Sequence, residues 1–140
     1  MGFLEKLRAA AAAGAGRPAA AGTTKAAGDA AEARALAHLQ AAGLRLVERN
    51  YRTPGRGGGE IDLVMRDAEG TLVFVEVRVR KSAQHGGAAA SIGAAKRRRI
   101  VLAARHYLMR LGAPPACRFD AVLVEGDAIT WLRAAFDSDG

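Results

Sequence analysis

The segment Leu72-Val73-Phe74-Val75-Glu76-Val77-Arg78-Val79 constrains the fold more than any other stretch of the chain. All of it except Glu76 and Arg78 is apolar, and most of it is β-branched or aromatic. An apolar run of this length, with Gly70 before it and a polar, Gly-rich loop after it, reads as a strand buried on both faces. A sheet with such a strand at its centre needs cover on both sides, and helices supply it in an α/β architecture. The same segment poses a chemical question. A carboxylate inside a buried strand is costly unless it is paired or coordinates a metal.

The flanking sequence supplies the remaining elements. Asp29 with Glu32 three residues on resembles a capping box, and Leu36, Leu39 and intervening alanines give an apolar face that Gly43 ends, so a helix is expected over 30–42. Residues 44–50 alternate apolar and charged and read as a strand. The loop Thr53-Pro54-Gly55-Arg56-Gly57-Gly58-Gly59 follows. Residues 60–66 form a second strand with Ile61, Leu63 and Met65 expected on one face, and 67–70 a hairpin turn before the central strand. Ser91 is placed to cap a helix over 92–111, in which Ile100, Ala104, Tyr107, Leu108 and Leu111 recur at helical spacing. Strands over 119–124 and, short and at the edge, 129–132 complete the order α-β-β-β-α-β-β. Residues 1–27 read as a disordered or loosely helical Ala/Gly-rich tail, 28–136 as one domain, and 137–140 as a short tail.

Charge narrows the partners. The formal net charge is +7 from 21 basic and 14 acidic residues, which suits a polyanionic partner. Of the basic residues 17 are Arg and 4 Lys in an Ala/Gly-rich chain, a pattern that GC-rich codons also produce, so the location of the charges matters more than their sum. The single cysteine, Cys117, excludes an internal disulfide framework and cysteine-rich zinc sites. No apolar run reaches the roughly 20 residues of a membrane helix, and the N-terminus lacks the apolar centre of a signal peptide, so a cytoplasmic location and no membrane partner are expected. The glycine run at 55–59 precedes a strand rather than following one, and no GxxxxGK[ST] occurs, so neither dinucleotide nor P-loop binding is indicated.

Glu60 and Asp62 are two apart and share a strand face, as do Glu76 and Arg78 on the next strand. Carboxylates brought together on adjacent strands suit Mg²⁺ or Mn²⁺. The residues alone leave a second reading open, a structural ion pair between Glu76 and Arg78 or a cross-strand Arg. Glu32 is likewise open between a metal-site role and the capping box. Lys96-Arg97-Arg98-Arg99 sits near the start of a helix, where cations oppose the macrodipole. Phosphate contacts would explain that placement, and a solvated helix face is the alternative. Arg80, Lys81 and the loop around His85 are placed to close over a substrate, though His85 reads better as an ordinary loop residue. Tyr51 and Trp131 are candidates for base stacking and, more simply, for packing.

A long ordered set of motifs resembles the YraN family of small bacterial proteins. It comprises Glu32 through Gly43, Gly59-Glu60-Ile61-Asp62-Leu63-Val64, residues 73–80, Gly86-Gly87-Ala88-Ala89-Ala90-Ser91, Lys96, and Arg118-Phe119-Asp120-Ala121-Val122. The resemblance spans Gly28 to Phe136. It implies a restriction-endonuclease-like PD-(D/E)xK core, a mixed central sheet flanked by helices, similar to archaeal Holliday junction resolvases. In that pattern Glu32, Asp62 and Glu76 surround a metal, Mg²⁺ or Mn²⁺, and Glu60 lies beside them as an extra ligand or water-holder. The pattern's lysine falls on Arg78, which binds phosphate well but does not act as a base. The resemblance therefore implies a metal-dependent endonuclease-like phosphodiesterase acting on DNA, branched or single-stranded. Asp62, Glu76, Arg78 and Glu60 are its catalytic set, and Lys96, Arg97, Arg98, Arg99, Arg80 and Lys81 contact nucleic acid. A homodimer follows by analogy with resolvases. The alternative on the same fold is a non-catalytic nucleic-acid-binding or protein-interaction module with a vestigial site.

Overall fold

The computed structural model describes residues 23–55, 57–80 and 92–138. Its elements are α1 (Thr23–Ala41), β1 (Arg45–Arg52), β2 (Glu60–Arg66), β3 (Leu72–Val79), α2 (Ala94–Leu108), β4 (Cys117–Glu125) and β5 (Ala128–Phe136). The five strands form one mixed sheet in sequential order. Pairing is antiparallel except between β3 and β4, which run parallel across the connection that contains α2. The α/β class and the element order are those expected, and they match the nuclease-like arrangement.

β3 is the central strand, and its pleat explains the two cores. Leu72 and Phe74 pack with Ile100, Ala103, Ala104 and Tyr107 of α2, while Val73 and Val75 pack with Ala35, Leu36 and Leu39 of α1. The helices thus cover opposite faces of the sheet, as a doubly buried strand requires. The hairpin between β2 and β3 turns on Asp67, whose Oδ1 accepts the amides of Glu69 and Thr71 at 2.9 and 3.0 Å, an Asx-type device that closes the turn at Gly70.

Three departures from the sequence reading matter for the site. First, α1 begins at Thr23 rather than at the expected residue 30. Alanine is the best helix former but gives no apolar periodicity, which hid the first turns. Asp29 therefore lies inside the helix, paired with Lys25 at 3.2 Å, and no capping box exists for Glu32 to complete. Second, Leu63 and Met65 join the α1-side core but Ile61 joins the α2-side core, so the expected common face is broken at Asp62. Third, β5 spans nine residues rather than four, with a register shift against β4 between Phe119 and Ala121. Ala134 adopts a positive φ of 52° there. The Ser91 cap expected for α2 lies outside the described residues; the N-cap position is Gly93, with no side-chain cap.

Candidate active site

The break at Asp62 is where the sheet opens. The β2–β3 ladder pairs Leu63 with Val75 and stops. One residue beyond, the Asp62 carboxylate, not a backbone carbonyl, accepts the Val77 amide at 2.8 Å. β3 meanwhile stays in parallel register with β4 as far as Val79. The two strands are thus held apart by a side chain, and the gap admits the carboxyls of Asp62 and Glu76 side by side, close enough to share a hydrogen bond.

Glu76 is 5% exposed, and its buried Oε1 has no hydrogen-bond partner among the described residues. Burial first, and then the Asp62 charge beside it, push its carboxyl up to about 8. Burial also raises Asp62, although the Val77 amide and the Lys96 ammonium oppose the shift. Glu32 projects toward the same region from α1. Its Oε1 is another buried oxygen without a hydrogen-bond partner among the described residues. Burial and the neighbouring Asp62 charge raise it to about 7, against the opposing pull of Arg49 and a hydrogen bond with Asn50. A helix cap would show neither feature, so the capping reading of Glu32 is replaced by that of a partly buried acid facing the carboxyl pair.

The cations sort themselves differently from the sequence expectation. Lys96, expected on a surface cluster, points inward from the first turn of α2. Its Nζ lies 3.5 Å from Glu76 Oε2 and 3.8 Å from Glu60 Oε1. Glu60 is turned into a ring of bases, with Arg52 Nε at 3.4 Å and an Arg99 guanidinium nitrogen at 3.9 Å. Lys96 and Arg99, three apart, thus share the helix flank that faces the carboxyls. Arg97 and Arg98 point to another flank, where they line a cavity of about 530 Å³ with Val101, Leu102 and Arg105. The four-residue basic run is therefore two surfaces. Arg78 lies near enough for its charge to lower Glu76, and it makes no ion pair among the described residues. Arg80 sits at the end of β3, 3.8 Å from Glu125. Lys81 and His85 lie outside the described residues. Tyr51 is buried and bonded to His106 Nδ1, and Trp131 donates to Asp120 at 2.8 Å, so both are packing residues.

Two contributors escaped the sequence reading. Asn50, at a positive φ of 52°, turns its amide onto Glu32. Arg52 faces Glu60 because the last residue of β1 pairs with the first of β2. Counting back across the glycine loop from the hairpin closure would have found that pair.

Chemically, the arrangement is a carboxyl pair, Glu76 buried and Asp62 partly so, with the Lys96 ammonium as its neighbouring cation. Three Asp, Glu, His or Cys side chains do not converge as a metal-holding group among the described residues. The donor set suits a cation that takes few protein ligands, and Mg²⁺ is commonly held by one or two carboxylates with the remainder from water and phosphate.

A family model described as "Uncharacterised protein family UPF0102" matches residues 31–124. A UPF0102 protein of Paracidovorax citrulli is 72% identical over 138 residues, covering 99% of both chains. One from an Acidovorax species is 72% identical over 116 residues, 83% of this chain and 88% of the relative. A third, from Methylibium petroleiphilum, is 65% identical over 119 residues, 83% of this chain and 98% of the relative. The matched span runs from α1 through β4 and contains Glu32, Asp62, Glu76 and Lys96, so it is the site-bearing core that is shared. The chain belongs to the uncharacterised bacterial family UPF0102, the YraN family that its motifs resemble.

Proposed function

We propose that the protein is a divalent-metal-dependent phosphodiesterase acting on a nucleic-acid strand, DNA in the first instance. The observation that carries this reading is the Asp62–Glu76 pair: two abutting carboxyls, Glu76 buried and Asp62 partly so, with an oxygen of Glu76 that has no hydrogen-bond partner among the described residues. Buried carboxylates arranged this way are stabilised by a bound cation. Mg²⁺ or Mn²⁺ held there would supply a more acidic bound water and neutralise charge on the scissile phosphate.

The chain's own groups do the rest. Asp62 and Glu76 would hold the cation, with Asp62 fixed in place by the Val77 amide. Glu32 adds negative charge from the α1 side. Lys96 takes the place that the resemblance gave to Arg78, because its ammonium already lies against Glu76. Arg78, whose planar fork suits phosphate, approaches the strand from β3. Both cations then stabilise charge that develops on the phosphoryl oxygens.

A second reading is favoured by the same Lys96, together with the lack of a three-carboxylate group among the described residues. In it an internal ammonium substitutes for the metal, and the protein binds nucleic acid without cutting it. Calorimetry with Mn²⁺ separates the two. Binding by the wild type that is lost in Asp62→Ala and in Glu76→Ala, followed by cleavage of single-stranded or branched DNA that Asp62→Ala abolishes, is the expected result. Cleavage unchanged in Asp62→Ala rejects the catalytic reading.

A further inference from the structure

We propose that the glycine loop after β1 forms a second, metal-independent phosphate subsite, which holds the nucleic-acid strand beside the carboxyl pair. The inference rests on the phosphodiesterase reading for the identity of the strand, but its geometry is separate. A cavity of about 380 Å³ is lined by Arg52, Thr53, Gly57, Gly58, Gly59 and Arg99, with Glu60 on its wall. Arg52 and Glu60 also line the neighbouring cavity, which holds Glu32 and Asp62. The two chambers therefore share a wall, and an extended strand with one phosphate at the carboxyl pair can place another in the loop cavity.

The charge balance of that wall calls for an anion. Arg52, Lys96 and Arg99 all lie within 4 Å of the Glu60 carboxylate, and Lys96 lies closer still to Glu76, so Arg52 and Arg99 face Glu60 with one positive charge in surplus. Arg52 and Arg99 remain 72% and 52% exposed at the side chain, so their guanidinium edges are open to a ligand. Gly57, Gly58 and Gly59 offer backbone rather than side chains to whatever enters. Its position is set from outside: a Cβ at Gly59 would lie 1.9 Å from the Arg99 carbonyl oxygen, and Arg99 Nε donates to the Gly58 carbonyl at 3.4 Å. This contact seats the loop on α2, so Arg52 and Arg99 flank one opening. Guanidinium forks recognise phosphate oxygens by geometry as well as by charge.

The test is binding of a short fluorescein-labelled single-stranded oligonucleotide, followed by anisotropy in EDTA at low salt. Arg52→Gln/Arg99→Gln should weaken binding about tenfold and reduce the slope of log affinity against log salt by about 0.7 per lost contact. Arg105→Gln/Arg133→Gln removes the same charge from exposed positions away from the loop and should change affinity less than about twofold. Equal losses in the two double variants, or a larger loss in the second, overturn the subsite, given circular dichroism and melting curves that show both variants folded. Inorganic phosphate as competitor identifies the ligand. Displacement of the probe only by high concentrations supports a strand, and displacement by micromolar phosphate overturns it in favour of a free anion. Because EDTA removes metal chemistry, failure here leaves the Asp62-dependent cleavage test standing. Absence of cleavage with every metal leaves this measurement valid in turn.

Discussion

Two buried acids lie on adjacent strands of the same sheet, and the protein treats them in opposite ways. Asp120 on β4 is fully buried and saturated with donors. Arg118 Nε reaches its two oxygens at 3.0 and 3.2 Å, Trp131 Nε1 reaches one at 2.8 Å, and the Ala134 amide donates at 2.9 Å. Arg118 extends the network to Asp67 at 3.1 Å, tying β4 to the β2–β3 turn. Glu76 on β3 is almost as deeply buried, yet one of its oxygens has no hydrogen-bond partner among the described residues and its neighbours include another acid. The fold can satisfy a buried carboxylate and does so at Asp120. Leaving Glu76 short of donors, one register position away on the neighbouring strand, therefore marks a place that stability alone did not shape.

This contrast can be broken by experiment. The largest effect should come from Asp120→Ala, which strands the Arg118 guanidinium, the Trp131 indole N–H and the Ala134 amide. Urea denaturation should show a loss of about 3–5 kcal/mol, the scale for removing one partner of a buried ionic network. A loss below about 1 kcal/mol would remove the distinction between the two acids. Next, Mn²⁺ at a hundredfold excess over its Kd should stabilise the wild type by about 2.7 kcal/mol, read as a rise in Tm. Asp62→Asn and Glu76→Gln should lose that rise, and Asp120→Asn should keep it. A rise retained in all three would place the cation elsewhere.

Smaller effects concern the metal-free protein. Glu76→Gln should stabilise it by about 1–2 kcal/mol at pH 8, because the amide removes a buried charge without changing shape. Destabilisation of similar size would mean that the Lys96 ion pair outweighs burial. The pH dependence sharpens the point. Glu76 and Glu32 are raised from about 4.5 in the unfolded chain to about 8 and about 7 in the folded one. The folded state therefore holds more protons in between, and stability present below pH 4.5 should decline as pH rises to about 8, then level off. Urea midpoints across that range test the slope in EDTA. Glu76→Gln should flatten it, and a rising slope would contradict the assigned shifts.

Much of this was legible in the sequence, and unevenly so. The bounds of β2 and β3 came out as read, because a buried strand writes its apolar residues without interruption and Asp67 and Gly70 punctuate the turn. Asp62 and Glu76 stood out for the same reason, as charges where the pattern forbade them. Glu32 was ambiguous only because an alanine-rich helix start carries no periodicity, so the apparent cap at Asp29 looked like a beginning. Lys96 was assigned to the right segment and the wrong surface. Composition shows four bases in a row, but only the packing of Ile100, Ala103 and Ala104 against the sheet decides which of them face the carboxyls. The parting of β2 from β3 was not legible at all, since period-two alternation assumes the unbroken ladder that Asp62 interrupts.

Gly59 carries a consequence in the language of the genetic code. Every missense change that one base substitution can make in a glycine codon installs a residue with a Cβ, and at this position any Cβ meets the Arg99 carbonyl oxygen and the Ala103 amide nitrogen. Gly55 and Gly57, whose positions face open space, meet no such obstruction, though their positive φ values still favour glycine. In a library of all single-base variants, position 59 should therefore be depleted as severely as a reacting acid, although it offers no group to any reaction. A deep mutational scan ranked by fitness alone would list it among the chemical residues, and only the packing against α2 would tell the two kinds of intolerance apart.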